Sequence, residues 1–139
     1  MKSMQKISKF FKAFPHAFKG IISGFKERNM RFHGFAALVV LMLGAIIGLD
    51  RLEWFIVYML IAMVWAAELF NTAIEELADL IRDHEHLSYQ ATRRARDIAA
   101  GAVLVTALLA AWLGGGIFLV RLVEIFDLVK YIPFTCPFL

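Results

Sequence analysis

Residues 98–120 read IAAGAVLVTALLAAWLGGGIFLV, 23 consecutive positions without a charge. As a helix rising ~1.5 Å per residue, this run crosses a hydrocarbon core of ~30 Å. It is apolar on every side, as a membrane-spanning helix is. The whole chain agrees with that reading. It has 139 residues, of which 60% are AVILMFWYC and 19% are charged. Soluble domains run near 45–50% apolar with glycine included, and about 25% charged. A globule of this size has more surface than so few polar groups cover. The composition argues against a soluble enzyme and a disordered chain, and for an integral membrane protein in one domain, residues 1–139.

Two more spans lie upstream. Gly34–Leu49 carries no charge, and with Phe32 and His33 it gives a first span over about 32–49. Asp50-Arg51-Leu52-Glu53 reads as a short polar turn. From Trp54 to Ala67 the chain is again uncharged; Glu68 then interrupts it, and an apolar face continues to Ile81. The second helix therefore reads as one long rod over about 53–81. Residues 82–97 read as a polar connection, 98–120 as the third span, and 121–139 as an interfacial tail with Pro133 and Pro137.

The charges set the orientation. Residues 1–31 hold eight of the fifteen Lys and Arg and one acid, Glu27. Phe10, Phe14, Phe18, Ile21, Ile22 and Phe25 recur there at helical spacing between lysines, so the segment reads as an amphipathic interfacial helix interrupted near Pro15. This basic arm leads directly into an apolar run, which favours anionic lipid over nucleic acid as its partner. Connection 82–97 adds Arg82, Arg93, Arg94 and Arg96, whereas the turn at 50–53 has one basic residue and the tail two. The positive-inside rule places the N-terminus and residues 82–97 in the cytoplasm and the C-terminus outside. The single cysteine, Cys136, excludes an intramolecular disulfide.

Function is concentrated in Glu68-Leu69-Phe70-Asn71-Thr72-Ala73-Ile74-Glu75-Glu76-Leu77-Ala78-Asp79. At about 100° per residue, Glu75 and Asp79 fall within about 20° of Glu68, with Asn71 and Thr72 beside the same line and Glu76 turned away. With Trp54 at one interface, Glu68 is about 21 Å deep, Glu75 about 31 Å and Asp79 about 37 Å. The stripe thus runs from the inner edge of the hydrocarbon into water. A carboxylate at the depth of Glu68 faces protein, water or a bound polar group. Carboxylates and an amide are hard oxygen donors suited to Mg²⁺, and a buried carboxylate can take a hydroxyl proton. Arginines nearby can neutralise phosphates. These are the parts that phosphoryl transfer requires. No P-loop accompanies them: Gly114-Gly115-Gly116 lies inside the third span. The His84, His86, Asp83 and Glu85 cluster, at i, i+2 spacing in a polar connection, is a weak metal signal, and Ala99-Ala100-Gly101-Ala102 reads as a helix-packing surface.

At these residues the chain resembles the prokaryotic integral-membrane diacylglycerol kinase/undecaprenol kinase family. The resemblance is carried by Phe18-Lys19-Gly20, by Glu27-Arg28-Asn29-Met30-Arg31-Phe32-His33, by Glu68 to Glu75 with Asp79, and by Arg96-Asp97 followed by Ala99 to Val103. It implies an all-α membrane protein with an N-terminal interfacial helix and three transmembrane helices, assembled as a homotrimer whose sites combine residues of neighbouring chains. It implies transfer of the γ-phosphoryl group of ATP to a lipid alcohol in the bacterial cytoplasmic membrane. Glu68 matches the base, Glu27 and Glu75 the carboxylates holding Mg²⁺ and nucleotide, and Asn71, Asp79, Arg96 and Asp97 other nucleotide-binding positions. The wording of the blocks is nearer the undecaprenol kinase branch, with diacylglycerol as the alternative substrate. Arg96 replaces the family's lysine, and the 18-residue step from Asp79 to Asp97 is about three residues longer than the family pattern. A reading of a different class is a non-catalytic membrane subunit that keeps the stripe for packing.

The topology is directly testable. A tag placed after Leu139 is expected to be labelled only from the outer face; labelling from the cytoplasmic face would break the three-span arrangement.

Overall fold

The computed structural model describes residues 14–126. The first part of the basic arm and the tail from 127, with Pro133, Cys136 and Pro137, lie outside the described residues. The described residues form four helices: α1 over residues 14–24, α2 Arg28–Ile47, α3 Arg51–His84 and α4 Tyr89–Ile125. There is no strand among the described residues. The chain is an all-α membrane protein, and α2, α3 and α4 are each long and apolar enough to cross a bilayer.

The helix ends follow from local chemistry. Helix α1 carries Pro15 at its second described position, where proline suits a first helical turn; the residues before 14, on which the interruption expected near Pro15 depends, lie outside the described residues. A tight turn over 25–27 passes the chain to α2, with the Lys26 and Glu27 amides donating to Ser23 and Gly24 carbonyls. Glu27 takes the extended backbone of an N-cap without a side-chain cap bond. Helix α2 stops at Gly48, whose φ of 78° suits glycine, and whose N–H closes on the Gly44 carbonyl at 3.0 Å. Asp50 and Glu53 then form a reciprocal capping box at 2.9 and 2.8 Å, so the turn expected over 50–53 is already the start of α3.

The largest departure from the sequence reading is the connection after α3. Residues 82–84 and 89–97 are helical, and only 85–88 join the two rods. Polarity alone does not end a helix. Residues 82–97 contain no glycine or proline, and their charges pair at helical spacing: Arg82 with Asp79, and Arg93 with Asp97. His86 makes the reversal in a left-handed conformation, φ 53°. Residues 121–125, expected in the tail, likewise extend α4.

Helix α3 is the spine. It packs most closely on α4 and more sparingly on α2. Its buried residues are Val57, Leu60, Val64, Glu68, Asn71 and Ala78, one stripe at spacings of three, four and seven. Helix α2 buries Met30, Ala37 and Gly44, whereas α4 buries only Ala99. Large apolar side chains such as Phe35, Phe55, Leu108 and Trp112 point outward, as lipid-facing positions do. The elbow after α1 docks on α3: Gly24 is packed so closely on Leu69 that a Cβ there would overlap it, and the Phe25 ring meets Trp65 edge-on at 5.1 Å.

The end of the bundle holding the 48–50 turn is termed distal, and the end holding the 85–88 connection basal. A clasp closes the distal end. Arg121 of α4 donates to Glu53 at 2.8 and 2.9 Å, to Asp50 at 2.9 Å and to Glu124 at 3.0 Å. The Glu53 amide, together with the Leu52 amide and Arg121, holds the Asp50 carboxyl below its usual value of 3.8. A carboxyl depressed in the folded state contributes stability above that usual value and loses it as pH falls through the depressed one. Arg121→Ala is therefore expected to lower the thermal midpoint in detergent at neutral pH. The gap to the unsubstituted protein should narrow as pH is taken well below 3.8, where Asp50 protonates. A gap that stays constant across that range would assign Arg121 to packing instead.

Candidate functional site

A cavity of about 300 Å³ opens in the basal half of the bundle. Helix α3 contributes Glu68, Asn71 and Glu75; α2 contributes Asn29, Phe32 and His33; α4 closes it with Ala100, Val103, Leu104 and Ala107. The α3 residues are brought together by spacing alone, being three, four and seven positions apart on one rod. The side chains of α4 are all apolar here, so the polar groups come from α2 and α3 only.

Glu68 is 2% exposed and Asn71 3%. They are the buried polar residues of the described chain, and they are adjacent turns of the same stripe. The Asn71 amide nitrogen donates to Glu75 Oε1 at 3.1 Å, which orients that carboxylate. The Asn71 carbonyl oxygen is buried without a partner. An unpaired buried acceptor costs about 1–3 kcal/mol, and this one lies between Glu68 and Glu75 along the α3 stripe. Two carboxylates and an amide oxygen form the hard-oxygen donor set that Mg²⁺ takes when waters and phosphate complete its shell, so these residues fit that ion. Among the described residues no group of three His, Cys, Asp or Glu is arranged to hold a metal by itself.

One turn past Glu75, Asp79 accepts from Arg96 Nη2 at 2.7 Å, and Arg82 reaches the same oxygen at 2.7 Å. Arg96 is further held by Thr92 at 3.5 Å and lies 5.2 Å from the Tyr89 ring. The added length between Asp79 and Asp97 thus leaves Arg96 on Asp79. Asp97 itself is exposed and pairs with Arg93 at 3.5 Å, away from the cavity. Glu27 is exposed at the start of α2 and does not line the cavity. So of the seven residues singled out in the sequence, the structure gathers Glu68, Asn71 and Glu75 around one cavity. Asp79 and Arg96 are joined beside it, while Glu27 and Asp97 lie outside it in a single chain.

Two residues of the cavity were not read as part of the site, Asn29 and His33. Both lie in the Glu27-to-His33 block, and their spacing of four places them on one face of α2. Pairing that face with Glu68 is a tertiary fact that no local pattern carries. A second cavity, about 450 Å³, continues from the first toward the distal end and shares Phe32, His33 and Ala107 with it. Its other walls, among them Val57, Leu60, Val64 and Phe118, are apolar. Glu68 lines the first cavity, and Val64, one turn earlier on α3, lines the apolar one, so the two spaces adjoin along that helix. This arrangement can deprotonate a hydroxyl whose carrier is apolar, beside a place for a metal-bound anion.

Comparison with known proteins follows the same direction. Residues 15–118 match the family described as prokaryotic diacylglycerol kinase. The chain is 42% identical over 118 residues to the undecaprenol kinase of Bacillus subtilis, covering 84% of this chain and 94% of that protein. It is 30% identical over 114 residues to the diacylglycerol kinase of a Synechocystis species, covering 81% of this chain and 64% of that protein. No solved structure matches it.

Proposed function

This chain belongs to the prokaryotic diacylglycerol kinase family of membrane lipid kinases, and on that premise we propose that it phosphorylates undecaprenol with ATP, giving undecaprenyl phosphate. The observation that carries the chemistry is the buried Glu68 in a cavity that adjoins an apolar one. The higher identity and fuller coverage of the undecaprenol kinase favour that alcohol over diacylglycerol.

In this reading the lipid hydroxyl enters beside Glu68 with its chain in the apolar cavity. The hydroxyl oxygen attacks the γ-phosphorus in line, the bond to the β–γ bridging oxygen breaks, and ADP leaves. Glu68 accepts the hydroxyl proton, a role worth roughly 10²–10⁴ in rate. Glu75, oriented by Asn71, and the Asn71 carbonyl would hold Mg²⁺, which supplies charge neutralisation on the nucleotide phosphates. Arg96 binds phosphate, Asp79 belongs to the nucleotide site through its hold on Arg96, and Asp97 completes that site. Glu27 joins the metal carboxylates from a neighbouring chain of a homotrimer. Its exposed place outside the single-chain cavity supports that arrangement. The enzyme is placed in the bacterial cytoplasmic membrane with the N-terminus and basal end in the cytoplasm and the C-terminus outside, on the strength of the basic residues gathered at that end.

The test is lipid phosphorylation in mixed micelles with Mg-ATP and either undecaprenol or diacylglycerol. Faster phosphorylation of undecaprenol is expected, and Glu68→Gln should abolish turnover while retaining Mg-ATP binding. Preference for diacylglycerol would replace the substrate and keep the chemistry; phosphorylation of neither would sink the proposal. Separately, Glu75→Gln is expected to raise the Mg²⁺ concentration needed for half-maximal nucleotide binding. An unchanged Mg²⁺ profile would remove Glu75 from the metal site.

A further inference from the structure

Asp79 holds two guanidinium groups on one oxygen atom. Arg96 reaches Asp79 Oδ1 from α4 at 2.7 Å, and Arg82 reaches the same atom from the next turn of α3 at 2.7 Å. Arg96 is confined, with its side chain 11% exposed against Tyr89 and Thr92. Arg82 is more open and also meets Asp83 Oδ1 through Nε and Nη2, each at 3.0 Å. A single ion pair would suffice to finish a helix. Here two guanidinium groups converge on one carboxylate oxygen, Arg82 having Asp83 as a second acid, and the shared acid's side chain is 45% exposed. In the sequence Arg82 is one of the basic residues of 82–97 that fix topology and can neutralise phosphates, with no site role of its own.

The location gives the pair a use. Asp79 is one turn past Glu75 on the same face, about 6 Å along the axis. A triphosphate with its terminal phosphorus between Glu68 and Glu75 extends its inner phosphates toward Asp79. Guanidinium forks match phosphate oxygens in planar, charge-assisted pairs. A phosphate group has more anionic oxygens than the carboxylate, so each guanidinium finds its own acceptor and their mutual repulsion is relieved.

Resting on the kinase reading above, we propose that Arg82 binds the inner phosphates of the nucleotide together with Arg96. Asp79 holds both guanidinium groups in place until the nucleotide displaces it. The exchange asks only side chains to move; α3 and α4 stay where they are. Arg82 thereby becomes a nucleotide-binding residue, and Asp79 a positioning residue.

The experiment is steady-state kinetics of the full chain in mixed micelles, varying Mg-ATP. Arg82→Gln should raise the KM for Mg-ATP by about ten-fold, the loss expected for a charge-assisted hydrogen bond, and lower kcat by less. The KM for the lipid alcohol should not follow it. Arg82→Lys, which keeps the charge, should recover part of the loss. The deciding step repeats Arg82→Gln in an Asp79→Asn background. A cation that touches phosphate still raises KM there. If Arg82 matters only as a partner of Asp79, the second substitution is silent and the proposal is overturned. It is equally overturned if Arg82→Gln in the otherwise unaltered chain leaves the KM within about two-fold. Absence of any lipid phosphorylation by the unaltered chain would remove the kinase reading and this inference with it. An active enzyme indifferent to Arg82 would remove this inference alone.

Discussion

A carboxylate cannot rest unaccompanied in hydrocarbon, and Glu68 places one there. A charge near the bilayer centre costs at least ~2.5–3.5 kcal/mol on insertion scales, so such a group faces protein or a polar ligand. The arrangement around it answers that requirement. Helix α2 brings Asn29 and His33 to the cavity, α3 continues the polar line through Asn71 and Glu75, and α4 presents small and apolar residues that keep water scarce. Moving Glu68 to a lipid-facing position would leave the neighbouring polar groups without purpose. The cavity, the apolar space beyond it and the ion pairs at its edge are organised about that one buried group.

The same requirement explains what the sequence made readable. The stripe Glu68, Asn71, Glu75, Asp79 follows from helical periodicity alone, and the helix that carries it is unbroken from Arg51 to His84. Three apolar runs gave the three spans because a bilayer selects length and hydrophobicity, both local properties. The ends were harder. Residues 82–97 read as a loop because they are polar, yet charge pairs at helical spacing keep both flanks helical and leave four residues to turn. Polarity reports exposure to water, not chain conformation.

Contacts between distant residues were not readable. Nothing local joins Asn29 and His33 to Glu68, or Arg121 to Glu53 across 68 positions. Arg121 looks in sequence like an ordinary charge after a span. In the fold it ties the last turn of α4 to the first turn of α3, with every nearby acid engaged. Glu27 and Asp97 carry the opposite lesson. Their motif blocks draw attention to them, yet the folded single chain leaves both outside the cavity, because a motif marks residues in sequence and not where the fold puts them.

Helix α3 is also a ruler. Its 34 residues span about 51 Å, well beyond a hydrocarbon core of ~30 Å, and no break interrupts it. The height between the buried acid and the arginine pair is therefore written in residue count, and their shared azimuth in the remainder after whole turns. One residue inserted between Glu68 and Asp79 would swing everything beyond it by about 100° and scatter the site around the rod. Seven would restore the face and lift the arginines about 10 Å further from Glu68. Extra residues in the 85–88 turn fall past the graduated part of the scale. There the chain can lengthen without changing the distance along α3 from Glu68 to Asp79.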